Sequence, residues 1–303
     1  MGIKLTTKYS PNFGLPKRPK KRIKFIIIHY TGMKKETAAI ERLLNPKSKV
    51  SSHYYIKKNG NILNLVPDLY EAWHAGISSW KNLTSLNKHS IGIEMTNPGH
   101  YHGYDNFSIK QILSLKRLLK YLMKKYKIGY KCILGHSDIS PDRKKDPGEK
   151  FPWYLLAKNK LAWWHKLDLK KIKKYRKVKL YSKKEESNFL KNLHKVGYMK
   201  NNQKKSNKKN NHFIIKAFQR RFRQDLINGK IDKECLLISK SLLISWIFKL
   251  EFLKQGIKLK LPDKWLIALI YFKEESPGST RIQCQVIPGG GNPRDSATEN
   301  KPP

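Results

Sequence analysis

Short apolar runs separated by polar segments mark the first half of the chain. Residues 25–28 form a mostly β-branched run bounded by charge, which is typical of a buried strand. Residues 90–95 alternate apolar and polar side chains as a half-buried strand does, and residues 132–134 are another short apolar run. Three strands are therefore predicted here.

A hairpin and a long helix complete this pattern. Residues 52–56 and 62–66 flank the turn 59–61, whose Asn-Gly pair supplies the positive φ of a tight turn. Ser108 and Gln111 have the spacing of a capping box, and apolar residues then recur at helical spacing up to Met123. Strands alternating with helices predict an α/β domain.

Changes in composition divide the remainder of the chain. Residues 183–243 have helical periodicity, interrupted by a Lys- and Asn-rich tract at 200–211 that we expect to be a loop. Residues 276–303 lack apolar periodicity and are expected to be disordered. We therefore predict five segments: a basic leader (1–22), an α/β domain (23–165), a basic linker (166–182), a small three-helix domain (183–243) and an unassigned, partly disordered tail (244–303).

The charge is unusually positive, with 64 Lys and Arg against 22 Asp and Glu in 303 residues, a formal net charge of +42. Such a surface attracts anionic polymers, of which nucleic acid is one. The lysine clusters lack the interleaved aromatic residues of a base-stacking groove, so no nucleic acid partner is expected. An anionic glycan would be attracted by the same positive charge.

Three cysteines in no C-x-x-C pair indicate neither a disulfide framework nor a thiolate zinc site, which fits a reducing compartment. No apolar run is long enough to span a bilayer, and the amino terminus lacks the apolar region of a secretory signal. We expect a monomer in the cytoplasm, with the periplasm as the alternative.

Two histidines and one carboxylate are the best candidates for chemistry. His29 and His136 each follow a short predicted strand, where an α/β sheet presents its carboxyl edge, and Asp146 comes ten residues after the second histidine. Three N or O ligands without a thiolate suit a catalytic zinc ion, which keeps a fourth position for water. His100 and His102 are a rival pair, although the glycines and proline around them favour a loop.

Several longer motifs resemble one enzyme family, the type-2 N-acetylmuramoyl-L-alanine amidases, which are related to peptidoglycan recognition proteins. The resemblance covers nearly all of residues 20–160 in the expected order and is carried by the runs FIIIHYTGM, SSHYYI, LVPDLYEAWHAGISSW, NKHSIGIEMTNPGH and GHSDISPDRKKDPGEKFPW. It implies a mixed central β-sheet flanked by helices, with one zinc ion in a groove. The implied activity is hydrolysis of the amide between N-acetylmuramic acid and L-alanine in peptidoglycan or muropeptides; the alternative is a non-catalytic peptidoglycan recognition protein.

Position by position, the resemblance assigns roles to five residues. His29, His136 and Asp146 match the zinc ligands, Glu94 the catalytic glutamate, and Lys144 the lysine that supports the transition state. A glutamate can move a proton between water and the leaving nitrogen, and a fixed cation can stabilise an oxyanion.

Further residues are expected around this site. Trp73, His74 and Trp80 lie in one segment and are predicted to contact substrate, because aromatic faces pack on sugar rings and imidazole can hydrogen-bond to a glycan or peptide oxygen. Asp138 and Arg143 are expected to shape the loop that carries Lys144 and Asp146.

Residues 214–243 resemble, more weakly, the repeat of peptidoglycan-binding three-helix domains. The Ala217-Phe218-Gln219 run, Gly229 and Asp232 match that pattern, with Asp232 as a helix N-cap. Because residues 1–182 contain every catalytic candidate, we predict that they suffice for the chemistry on small soluble muropeptides.

Overall fold

The computed structural model describes residues 4–198 and 208–254. Most of the predicted loop at 200–211 and all of the tail from 255 onward lie outside the described residues. Residues 208–211, the end of that tract, belong to a helix.

The described strands form one large and two small sheets. Their bounds are β1 Leu5–Thr7, β2 Phe13–Gly14, β3 Phe25–Tyr30, β4 Tyr54–Ile56, β5 Ile62–Asn64, β6 Glu71–Ala72, β7 Ser79–Trp80, β8 Leu83–Thr84, β9 Ser90–Met95 and β10 Ile133–Gly135. The main sheet has the order β1-β5-β4-β9-β3-β10, and β2-β6 and β7-β8 are separate antiparallel pairs. Within the main sheet only β4 and β5 pair antiparallel, so the sheet is mixed.

Helices cover both faces of the main sheet. The described α-helices are α1 Glu36–Leu44, α2 Ile109–Tyr126, α3 His136–Ile139, α4 Trp153–Lys158, α5 Leu169–Ile172, α6 Lys183–Val196, α7 Lys208–Phe222 and α8 Lys233–Lys254. The leucines of α2 pack with Ile26, Ile28 and Ile93 on one face, whereas α1 packs with Tyr55 and Leu63 on the other. Because side chains alternate along a strand, His29 and Glu94 point to the α1 face.

The predicted α/β fold with a mixed sheet is confirmed. Helix α2 begins after Ser108, whose side chain accepts from the Gln111 amide while the Gln111 side chain accepts from the Ser108 amide, as the capping box predicts. The hairpin of β4 and β5 also forms, although both strands are shorter than predicted.

The basic leader contributes to the fold. Leu5–Thr7 adds an edge strand that pairs parallel with β5, and Ser10 and Asn12 are buried against the α1 region through bonds to the Leu43 and Asn45 carbonyls. The sequence did not indicate this strand, because its three side chains are exposed and pairing occurs through the backbone.

Helices α6, α7 and α8 follow the α/β part, and residues 4–198 and 208–254 fall in one compact unit. Phe189, Phe218 and Phe222 form a buried aromatic group between α6 and α7. No helix among the described residues is long and apolar enough to cross a membrane.

Candidate metal centre and active site

Three neighbouring parallel strands bring the predicted site residues into one row. His29 of β3 is directly opposite Glu94 of β9 in the strand register. Gly135, the last residue of β10, is opposite Ile28, so His136 follows immediately beside His29. The carboxyl ends of parallel strands lie at one edge of the sheet, and this row is the structural basis of the site.

His29, His136 and Asp146 converge within this row. The Nδ1 atoms of His29 and His136 are 2.9 Å apart, and Asp146 Oδ2 lies 3.1 Å from the first and 3.0 Å from the second. All three side chains are buried. The Ser137 amide donates to the Asp146 carbonyl at 2.8 Å, which ties the two ligand-bearing segments together.

The donor set fits a divalent metal ion. Ligand atoms bound tetrahedrally at 2.0–2.2 Å from zinc lie about 3.3–3.6 Å from one another, so the spacings of 2.9–3.1 Å are a few tenths of an ångström shorter. Two neutral imidazoles and one carboxylate are also the ligand types that catalytic zinc sites use. The three residues are therefore a possible metal site.

The electrostatics keep His29 and Asp146 in the forms that can bind a metal ion. Burial and the neighbouring His136 lower the pKa of His29 to about 4, so its ring is neutral at pH 7. Burial alone would raise the pKa of Asp146, but the His136 and His29 rings lower it well below its ordinary value. Neutral imidazole and ionised carboxylate are the forms that bind a cation.

Glu94 lies beside the cluster without being part of it. Its Oε2 atom is shielded from solvent and has no hydrogen-bond partner among the described residues. Burial and the Asp146 carboxylate raise the pKa of Glu94 to about 8, and the Lys144 ammonium opposes this increase. A carboxyl group tuned toward neutrality can both accept and return a proton.

The cluster opens into a cleft of about 380 Å³ that has an unusually basic lining. Arg143, Lys144 and Lys145 come from the segment before Asp146, and Arg42 comes from α1. The Arg143 guanidinium donates to the Ile77 carbonyl and, at 2.9 Å, to Ser140 Oγ.

His74 lies beneath the predicted ligands. Its Nδ1 is 3.1 Å from His29 Nε2, and its Nε2 is 3.3 Å from Ser90 Oγ, which itself donates to the Leu86 carbonyl at 2.6 Å. The Ser90 hydroxyl must then accept from His74 Nε2–H, which leaves His74 Nδ1 to accept from His29 Nε2–H. This chain of bonds leaves His29 Nδ1 bare toward the cluster, as a metal ligand requires.

The structure places the two predicted tryptophans differently. Trp73 is partly exposed and lines the same cleft as His74. Trp80 is 2% exposed and packs edge-on against Tyr198 with ring centroids 4.9 Å apart. The structure therefore brings Trp73 and His74 to the cleft but not Trp80. The Trp80 indole is instead buried against Tyr198, the second residue after α6.

A cluster next to the cleft was not found by sequence reasoning. His100 bonds to Glu149 at 3.0 Å through Nε2 and to the Tyr30 hydroxyl at 2.7 Å through Nδ1, and its ring stacks on Tyr104. Tyr30 follows His29 in β3, and Glu149 follows Asp146 by three residues. The contacts join residues 49 and 70 positions apart, so no local sequence pattern indicates them. The available signal was that Tyr30 and Glu149 lie close in sequence to the predicted ligands His29 and Asp146.

Comparison with known proteins shows the family of this chain. Residues 19–149 match the N-acetylmuramoyl-L-alanine amidase domain family. The N-acetylmuramoyl-L-alanine amidase AmiD of Escherichia coli is 34% identical over 235 residues, which cover 73% of this chain and 83% of AmiD. The chain belongs to the N-acetylmuramoyl-L-alanine amidase family. It is therefore an amide hydrolase by family. A 1,6-anhydro-N-acetylmuramyl-L-alanine amidase, AmpD of Haemophilus influenzae, is 35% identical over 163 residues, covering 48% of this chain and 85% of AmpD.

Solved amidase structures share the fold. The complex of E. coli AmiD with the substrate anhydro-N-acetylmuramic acid-L-Ala-D-γ-Glu-L-Lys has a TM-score of 0.65 and 33% identity, covering 76% of this chain and 91% of AmiD. AmpDh3 of Pseudomonas aeruginosa has the same TM-score and 27% identity, covering 78% of this chain and 97% of that structure. The shared fold therefore extends beyond residues 19–149 of this amidase.

Proposed function

We propose that this amidase uses zinc to hydrolyse the amide bond between N-acetylmuramic acid and L-alanine in peptidoglycan or muropeptides. The observation that carries the proposal is the convergence of His29, His136 and Asp146 at 2.9–3.1 Å beside Glu94. When bound, zinc lowers the pKa of water toward about 7 and polarises a carbonyl as a Lewis acid.

The remaining steps are assigned to the residues of the chain. Glu94 would accept the proton of the attacking water and deliver it to the L-alanine nitrogen, which must be protonated to leave. Its unpartnered Oε2 and raised pKa suit both halves of this task. Lys144 would place its ammonium group near the oxygen that becomes negative in the tetrahedral state.

The cleft also supports the class of substrate. Its lining includes four cationic side chains, Arg42, Arg143, Lys144 and Lys145. The substrate bound in the AmiD structure is an anhydromuramoyl tripeptide, whose peptide part carries carboxylates. Trp73 lies at the same cleft and stays our candidate for a substrate contact. Both ring nitrogens of His74 are already bonded to His29 and Ser90, so we assign His74 to the support of His29 instead.

Digestion of purified muropeptides followed by mass spectrometry tests this proposal. We expect a released peptide with a free L-alanine amino terminus, an unshortened glycan, loss of activity after dialysis against a chelator, and recovery with Zn²⁺. A new reducing sugar end would indicate a muramidase. Binding without any product would favour the alternative, a peptidoglycan recognition protein.

We also propose that the helical segment 183–243 binds peptidoglycan, with 166–182 as its linker. The support is the resemblance of residues 214–243 to wall-binding repeats together with helices α6, α7 and α8. An E94Q chain should sediment with insoluble wall even when saturating soluble muropeptide occupies the cleft. Complete displacement by soluble muropeptide would contradict this second attachment.

A further inference from the structure

The carboxyl-terminal part of α7 contacts the β10 and α3 region through one buried arginine. Arg221 Nη2 donates to the Ile133 carbonyl at 2.9 Å, and Nη1 binds the Asp138 carboxylate. The guanidinium also lies over the Trp153 ring, 4.1 Å from its centroid. These contacts join positions 88 and 83 residues apart in the chain.

Asp138, which binds Arg221, also bonds to the residue before His136 and to Tyr198. Its Oδ2 accepts the Gly135 amide at 2.8 Å, and its Oδ1 accepts the Tyr198 hydroxyl at 2.7 Å. Gly135 immediately precedes His136, and Asp138 follows it by two residues. The backbone that carries the predicted ligand is therefore tied to the helical segment on both sides.

The segment after Asp146 is held by residues at the same end of α7 and just beyond it. Gln224 Nε2 donates to the carbonyls of Glu149 at 2.6 Å and Phe151 at 2.7 Å. Arg220 Nε lies 3.7 Å from Glu149 Oε2, an ion-pair distance. Three residues within five positions of one another thus contact the segments that carry His136 and Asp146.

Stability alone is a poor explanation for a buried ion pair at this place. Arg221 and Asp138 are 2% and 1% exposed, so both lose their hydration, and this cost offsets most of the attraction between them. What the pair supplies in addition is direction, because a planar guanidinium held by a carboxylate, a carbonyl and an indole has little freedom to move. The partners of metal ligands need that precision.

We propose that Arg221 is a positioning residue of the metal site, acting through Asp138 on His136, and that Gln224 supports the Asp146 segment in the same way. The helical segment is then part of the catalytic apparatus as well as a candidate wall-binding module. This inference rests on the proposed zinc function, because it assigns the positioned residues as ligands.

Competition between the full-length protein and a chromophoric chelator for Zn²⁺ tests the proposal. We expect R221M to weaken Zn²⁺ binding by about tenfold, the lower end of the effect of removing a direct partner of a metal ligand, because Arg221 acts on His136 only through Asp138. R221K should restore part of the loss. The visible spectrum of the Co²⁺-substituted protein should change in R221M, since it reports the arrangement of the ligands.

R176M is the matched control. Arg176 also makes a bidentate ion pair, to Glu234 at 2.7 and 2.8 Å, but that pair joins the linker to α8 and does not contact the metal segments. R176M should therefore lose stability while keeping the Zn²⁺ affinity of the wild type. All affinities are measured at a temperature where circular dichroism shows each variant folded.

Wild-type Zn²⁺ affinity in folded R221M would overturn the proposal. If R221M does not fold, Q224A tests the same claim at the Asp146 segment, and unchanged affinity there overturns it. A wild-type protein that binds no Zn²⁺ would instead refute the proposed function, so the two failures are distinguishable.

Discussion

At the level of single side chains, our proposal gives Glu94 a role in proton transfer and gives His29, His136 and Asp146 a role in holding zinc, and these two roles can be separated by mutation. Glutamine has the shape of glutamate but cannot accept the water proton, so E94Q should retain zinc and lower kcat by about 10²- to 10⁴-fold. Elemental analysis and turnover of a soluble muropeptide measure the two quantities. Turnover at the wild-type rate would make Glu94 a structural residue.

Lys144 is expected to act on the transition state. Methionine keeps most of the side-chain volume but removes the charge, so K144M should lower kcat by about 10²- to 10³-fold with a much smaller change in KM. K145M is the matched control, because Lys145 lines the same cleft and lies 5.0 Å from the centroid of the Tyr101 ring. An equal effect of both substitutions would indicate that the basic field, and not a specific contact of Lys144, matters.

The support of His29 by His74 depends on a glycine. A Cβ atom at Gly92 would lie 2.4 Å from the His74 ring, so the ring and the backbone of β9 could not both stay in place. We expect G92A to displace His74 from His29 and to weaken Zn²⁺ binding by about tenfold or more, in addition to lowering stability. In G129A the new Cβ meets nothing within 4 Å, so that variant should keep both properties. Wild-type Zn²⁺ affinity in G92A would contradict the positioning role of His74.

At the scale of elements, the sequence predicted what local chemistry determines. Ser108 and Gln111 specify the start of α2, and the apolar runs of β3 and β9 specify buried strands. The grouping of His29 and His136 followed from these strands, because both histidines occur where parallel strands end. A resemblance to one family then separated these histidines from His100, which lies in a loop and contacts Glu149.

Contacts between elements that are distant in the chain could not be predicted from the sequence in the same way. Arg221 is one of many basic residues in a lysine-rich chain, and nothing local indicates that it meets Asp138. The expectation that residues 1–182 suffice for the chemistry followed from the positions of the catalytic candidates alone. The contacts of Arg221 and Gln224 indicate that residues 1–182 also need the end of α7 and the residues just after it. Arg221 and Gln224 bind Asp138 and the carbonyls of Ile133, Glu149 and Phe151, and a fragment of residues 1–182 would lose these bonds.

Within the described residues, a junction links the α/β part to the helices that follow it. Trp164 packs against Phe222 of α7 with ring centroids 5.8 Å apart, and the Lys166 amide donates to Ser241 of α8 at 3.2 Å. His165 is buried at this junction, stacked on Trp164, and neither of its ring nitrogens has a hydrogen-bond partner among the described residues. Unfolding the junction would therefore expose a histidine that titrates differently in the two states.

The stability of the junction should decrease in mild acid through His165. Burial lowers the pKa of this histidine from 6.5 to about 4, so below pH 6.5 the unfolded chain binds a proton that the folded protein does not. The free energy of unfolding therefore falls as the pH decreases from 6.5 and stops falling, for this group, near pH 4. The full effect is about 3 kcal/mol, and H165L should remove it. Chemical denaturation of wild type and H165L at pH 7.5 and pH 4.5 measures the difference. We expect H165L to lose less stability than wild type between these two pH values. Equal losses would contradict this prediction, and they would mean that His165 is protonated in the folded protein or that the junction opens before the molecule unfolds.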